Sequence, residues 1–438
     1  MKKLFIPLVL LTTLSVSTQG QKIKFEQFDL KNGLHVILHE DHSTPIVAVS
    51  VLYHVGSKNE DPKRTGFAHF FEHLLFEGSE YIGRGEYMKL VQENGGVLNA
   101  NTSFDRTFYY EILPSNQLEL ALWMESERML HAKIDQEGIE TQRGVVKEEL
   151  KQRNENQPYG SILNEIFAHA YKVHPYRWTP GGSPEYINQA KMEEFMEFYK
   201  TFYVPENATL SIAGDIDLKK AKEWISKYFG DIAKGTKPVP RPKEVEPKQT
   251  AEIRDTIYDP NIQLPAVIMG YHVPAQGTPD YYAVNMLATL MSNGKSSRLY
   301  KAIVDEKQKA LFAGTFPLPS EDPGLALTFA ICNMGVTAQD AEKAIDEEIV
   351  KVQNELITEE ELQKLKNQVE NDFIGGNSSM AGIAESLANY YVYYGDANLI
   401  NTELDRFMKV TREDIKRVAN EYFRNTNRVV LYYFPKSK

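Results

Sequence analysis

The chain has 438 residues, too many for one small core, and its composition (42% hydrophobic, 25% charged, 11% aromatic) is globular and excludes a disordered or collagen-like chain. Acidic residues number 60 against 49 basic ones, and the formal net charge of −11 opposes a polyphosphate and argues against a nucleic-acid partner. The single cysteine, Cys332, excludes an intramolecular disulfide and a Cys-based zinc or redox pair, so a metal must be held by His, Asp or Glu.

Residues 1–20, MKKLFIPLVLLTTLSVSTQG, run from two lysines through an apolar stretch to small and polar residues ending at Gly20, which is the order of a cleaved signal peptide. The apolar stretch, broken by Thr12, Thr13 and Ser15, falls short of the ~20 residues that span a bilayer. Export to the periplasm, or secretion, with no stable membrane anchor is the expectation. GLHVILHED and IVAVSVLYHVG then place β-branched and aromatic residues at period two and predict two paired strands.

Residues 66–78, GFAHFFEHLLFEG, predict a helix on which His69 and His73 stand one turn apart on one face, so that two imidazoles can meet one metal ion. Glu72 lies beside them, placed to polarise a metal-bound water without being a ligand. This H-x-x-E-H order inverts the H-E-x-x-H of other zinc peptidases. Three polar residues in an apolar helix cost free energy unless each has a partner. Further on, NANTS (99–103) taken alone reads as a polar loop. Helical patterns follow at 118–132, 140–152 and 160–172. On the middle one Val145, Val146 and Glu149 share a face, with Gln142 one heptad before Glu149. A catalytic zinc usually takes a third protein ligand, and Glu149, charged on an apolar face, is favoured over Glu148, which points about 100° away; the pattern alone leaves both open.

Residues 233–250, AKGTKPVPRPKEVEPKQT, carry four prolines and no helical or strand period, and mark a linker between halves at 21–232 and 251–438. Both halves close on helix, turn and strand at one constant offset, which pairs Tyr203 with Phe423 and Asn207 with Asn427. The predicted fold class is α+β: two homologous domains, each a mixed β-sheet covered by helices.

With HFFEH, a distant glutamate at the family's spacing from His73, GGVLNANTSFDRTFYYEIL, HPYRWTPGG and the duplicated domain, the chain resembles the pitrilysin family of zinc metallopeptidases, which includes insulin-degrading enzyme and the mitochondrial processing peptidase. The resemblance covers essentially the whole mature chain. It implies a zinc endopeptidase with one Zn2+ per chain, ligands His69, His73 and Glu149, and Glu72 as general base; the spacing selects Glu149 over Glu148. A supporting glutamate of the family stands seven residues before the ligand, where this chain has Gln142, which can hydrogen-bond but adds no charge. Residues 95–110 look like the family's edge strand, on which a peptide is laid as an added strand; Asn99, Ala100, Asn101 and Thr102 match the part nearest the zinc. His174 and Tyr176 match a family loop without a chemical role. The family's Arg and Tyr, seven residues apart, fall here at Val304 and Leu311 within 296–314, and Arg298 and Tyr300 do not fit that spacing. Losing such donors typically costs ~10²–10³ in rate. The resemblance therefore implies a heterodimer in which a second pitrilysin-like subunit supplies Arg and Tyr to peptide substrates held at this chain's zinc. The alternative is a non-catalytic assembly subunit, against which the intact His69, Glu72, His73 and Glu149 argue.

Overall fold

The computed structural model describes residues 22–436, so the predicted leader at 1–20 lies outside the described residues. The first half is built on β1 (Glu26–Asp29), β2 (His35–Glu40), β3 (Ile46–Tyr53), β4 (Val97–Thr102), β5 (Thr107–Pro114) and β6 (Ala208–Gly214), in the order β1-β2-β6-β3-β5-β4. The second uses β7 (Ile253–Asp259), β8 (Ala266–Val273), β9 (Ala310–Pro317), β10 (Gly324–Cys332) and β11 (Arg428–Pro435), in the order β7-β11-β8-β10-β9. Each sheet has one parallel pair, β2 with β6 and β7 with β11, and is otherwise antiparallel. Setting β1 aside, the two orders are the same, and β6 and β11 begin at Ala208 and Arg428, the same offset that relates Asn207 to Asn427. The protein is thus two domains of one mixed-sheet design. Residues 230–252, between them, contain no helix or strand. The Glu246 carboxylate nevertheless ties this stretch to the first domain by accepting the amides of Lys172, Val173 and His174 at 2.9–3.0 Å.

The first domain's helices are α1 (Phe67–Leu74), α2 (Glu86–Glu93), α3 (Leu118–Leu130), α4 (Gln136–Leu150), α5 (Ile162–Ala170), α6 (Pro184–Gln189), α7 (Met192–Phe202) and α8 (Leu218–Phe229). The second's are α9 (Pro279–Ser292), α10 (Ala338–Asn354), α11 (Glu359–Gly376), α12 (Met380–Tyr394), α13 (Glu403–Met408) and α14 (Arg412–Tyr422). Period-two alternation gives each sheet two apolar faces. On β2, Val36 and Leu38 join the core under α1, α3, α7 and α8, while Ile37 points the other way. That other face is covered from the second domain, where Met380, Ile383, Ala384 and Leu387 of α12 pack on Ile37, Ala48 and Ala213. In return α5 of the first domain sets Ile166, Phe167 and Ala170 against Ala266, Ile268, Val429 and Leu431 of the second sheet.

A buried polar knot joins the domains beside these exchanged helices. The Lys58 ammonium lies 2.9 Å from Asp105, 2.6 Å from Glu321 and 3.1 Å from Asp322, the last two on the β9–β10 loop of the second domain. His54 bonds Glu321 at 2.8 Å, and the Tyr176 hydroxyl donates to Asp105 at 2.7 Å and accepts the Asp322 amide at 3.0 Å. His174, also buried, faces Asp322 at 3.4 Å.

Candidate metal centre

Helix α1 is short, so its pose depends on what grips its ends. At the N-terminus Gly66 takes φ +99°, and a side chain at Gly182, whose Cβ would lie 2.1 Å from the Gly66 nitrogen, has no room. The buried Glu60 side chain accepts the Gly66 and Ala68 amides at 2.9 and 2.8 Å, supplying partners for donors that the first turn of the helix leaves free. Burial pushes the Glu60 carboxyl up to about 8, against the pull of those donors. At the other end the buried Arg128 guanidinium donates to the Leu75 carbonyl at 2.7 Å and stacks 4.4–4.6 Å from the rings of Phe76, Tyr87 and Tyr109. The Tyr109 hydroxyl holds the Phe71 carbonyl at 3.0 Å.

The helix so fixed presents His69 and His73 to Glu149, on the last turn of α4. Glu149 Oε1 lies 3.5 Å from His69 Nε2 and Oε2 lies 3.1 Å from His73 Nε2. A ligand atom from each of the three lies within 4.8 Å of the others, the one such group of His, Cys, Asp or Glu among the described residues. A tetrahedral zinc with bonds of ~2.0–2.2 Å spaces its ligand atoms roughly 3.3–3.6 Å apart, so this donor set fits the ion. Hydrogen bonds from His69 and His73 hold the Glu149 carboxyl well below the ordinary carboxylate range. Glu148 is exposed, and among the described residues its side chain accepts a bond from Gln152 alone.

Glu72 stands on the same helix, and its Oε2 accepts the Thr102 hydroxyl at 2.6 Å. Thr102 ends β4, the edge of the first sheet. Along that strand Asn99 and Asn101 are exposed while Leu98, Ala100 and Thr102 turn toward α1. The segment 95–110, read from sequence as one edge strand, is two strands and a turn: Ser103 Oγ accepts the amides of Asp105 and Arg106, folding the chain back so that only Val97–Thr102 remains at the edge. Val145 is likewise 47% exposed while Val146 is buried, which places Glu149 at the border of the apolar stripe of α4.

Gln142 touches none of the three converging side chains. Its amide donates to the buried Glu77, just past α1, which also pairs with Arg84; Arg84 in turn bonds Asp135, the N-cap of α4. Val304 packs partly buried against the second core and Leu311, on β9, is 56% exposed; neither carries a donor. Arg298 is engaged by Glu361. Sequence reasoning missed Glu60 and Glu77, because Glu60 caps from six residues before Gly66, outside the local capping spacing, and Glu77 reads as a surface acid.

No helix among the described residues is long and apolar enough to cross a membrane. The family model described as Insulinase (Peptidase family M16) matches residues 35–179, and that of the Peptidase M16 inactive domain matches 190–369. The zinc protease PqqE of Helicobacter pylori is 34% identical over 431 residues, covering 98% of this chain and 97% of its own. The crystal structure of a protease from Helicobacter pylori, 33% identical, matches 94% of this chain and 100% of that one with a TM-score of 0.90. The periplasmic protease PqqL of Escherichia coli, 18% identical, matches 94% of this chain but 48% of its own with a TM-score of 0.77. With its two mixed-sheet domains and a relative of this identity along almost its entire length, the chain belongs to the pitrilysin (M16) family of metallopeptidases.

Proposed function

We propose that this chain is a zinc-dependent endopeptidase of peptides or unfolded protein segments, and the zinc-bearing subunit of a heterodimer. One observation carries the reading: His69, His73 and Glu149 converge beside Glu72, which is itself tied to Thr102 at the end of an open sheet edge. Zinc, when bound, supplies a Lewis acid that acidifies a water and polarises a carbonyl. His69 and His73 offer imidazole nitrogens for one ion and Glu149 a carboxylate. Glu72, with Oε2 held by Thr102, keeps Oε1 to take a proton from the attacking water and return it to the departing amine. Val97–Thr102 offers its backbone to an extended peptide, with Asn99 and Asn101 on the exposed face and Ala100 and Thr102 on the α1 face. Gln142 supports the ligands indirectly, by tying α4 to α1 through Glu77.

The heterodimer rests on Val304 and Leu311, which cannot donate to an oxyanion, and on the chain's correspondence in fold to about half of the longer PqqL chain. The partner is a second pitrilysin-like subunit carrying Arg and Tyr. The order of residues 1–20 supports export to the periplasm. The test is cleavage of a quenched fluorescent peptide library by metal-analysed protein, alone and with the partner, beside Glu72→Gln. Cleavage only with the partner, lost in the variant, is expected. Stoichiometric zinc without cleavage in either sample supports the assembly-subunit reading instead, and robust cleavage by the chain alone refutes the heterodimer.

A further inference from the structure

We infer that the second domain positions the substrate-binding edge, through Arg106 and the turn 103–106 that follows β4. The inference rests on the proposed reading of β4 as that edge. The turn is preformed, since Ser103 Oγ accepts two of its amides and the Ser103 amide donates to the Arg106 carbonyl at 2.9 Å. Two separate pieces of the second domain then seize it. Asp105, buried, accepts the Glu321 amide of the β9–β10 loop at 3.0 Å and is neutralised by Lys58. Arg106 points the other way, to α12: Nη1 donates to Asn389 at 2.6 Å and Nη2 donates to Glu385. The same Nη2 reaches back to Asn101 Oδ1 at 3.2 Å, so one guanidinium links α12 to the edge strand itself, while its flat face lies 4.6 Å from the Phe108 ring.

The turn starts one residue beyond Thr102, which holds Glu72. Any shift of α12 across the first sheet is therefore carried by Arg106 to the end of β4 nearest the metal centre. Arg106 is a positioning residue: it acts on how an extended peptide is laid down, and through no contact of its own with Glu72, His69, His73 or Glu149. Its loss should weaken binding of peptides long enough to pair along all six residues of β4 and leave the chemical step nearly untouched.

The experiment uses the full chain, zinc-loaded and in whichever assembly cleaves, with Arg106→Glu, Glu385→Arg and their double variant, plus the milder Glu385→Gln in case charge reversal perturbs folding. Each is assayed on a quenched peptide of about twelve residues and one of about four. Amide hydrogen exchange across 97–106 is measured in parallel. Each single variant should raise KM for the long peptide about five- to tenfold, change kcat less than about twofold, leave the short peptide's kcat/KM unchanged and speed exchange in 97–102; the double variant should recover much of the loss. Equal losses of kcat on both peptides, an unmoved KM, or unchanged exchange overturn the inference. Failure of the peptidase reading shows separately, as absence of cleavage by the wild-type chain, and the exchange data on Glu385→Gln then still decide whether α12 positions the edge.

Discussion

Replacing Lys58 with methionine removes the ammonium shared by three carboxylates in the knot that joins the domains. The Lys58 side chain is 4% exposed and Asp105 5%, whereas Glu321 and Asp322 are 29% and 40% exposed. Burial works against the Lys58 charge, but Asp105 and Glu321 outweigh it and hold the ammonium above its ordinary value. Burial alone would raise Glu321; hydrogen bonding from His54 and the charge of Lys58 bring it down to about 2. The bond to His174, opposed by burial and aided by Lys58, brings Asp322 to about 2 as well. Breaking a buried pair by removing one partner costs ~3–5 kcal/mol, and because two of the acids reach solvent the lower end, about 3 kcal/mol, applies here. With an unfolding entropy of ~2 cal/mol/K per residue summed over both domains, the melting temperature should fall by roughly 3–4 °C. Both acids have depressed folded values, so the stability they contribute is full above about pH 4–5 and fades as pH falls toward 2. The gap between wild type and Lys58→Met, measured by urea unfolding of zinc-loaded protein followed by circular dichroism, should therefore narrow from pH 7 to pH 3. A gap below ~1 kcal/mol at pH 7, or one that stays constant down to pH 3, refutes the reasoning.

Glu72→Gln should lower kcat by at least ~10²–10⁴ while binding zinc stoichiometrically, checked by metal analysis and peptide cleavage on one preparation. Glu149→Gln should weaken zinc retention during dialysis against a chelator, whereas Glu148→Gln, exposed and bonded to Gln152, should leave it unchanged. Gln142→Glu takes a donor from the buried Glu77 and sets a like charge beside it; a loss of about 1–3 kcal/mol at neutral pH is expected. One of that pair is then forced to bind a proton more readily when folded, so the loss should shrink in acid, and an unchanged melting temperature at pH 7 would count against the contact.

Local periodicity carries a good deal of this molecule. The strands β2, β3, β6 and β11 and the repeat that relates β6 to β11 are legible because runs rich in β-branched and aromatic residues mark strands that are buried on both faces. The expected pairing of the first two is not what forms: β6 lies between β2 and β3 and pairs with both. His69 and His73 are legible as a pair because they are one helical turn apart. Glu149 is not, because three helices and two strands begin between it and His73, and only the resemblance bridges them. The split of 95–110 into two strands was hidden, since the fold-back depends on a single serine hydroxyl at position 103. His174 and Tyr176 meant nothing in sequence because Asp322, which both face, belongs to the other domain. The role of Glu60 at the start of α1 was hidden likewise, its partners being amides that no side-chain pattern reports.

The exchanged helices α5 and α12 bear on how such a chain could be divided. A cut within 233–250 severs no element of either sheet, yet each fragment taken alone would expose the apolar face that its neighbour's helix covers, and carry a helix with nothing to cover. The fragment carrying the first sheet would also lose the loop and helix that hold Asp105 and Arg106. A nicked chain should therefore migrate as one particle, and two separately translated pieces should be soluble only when made together. Such an outcome would make the peptide link between the domains dispensable once the two have met.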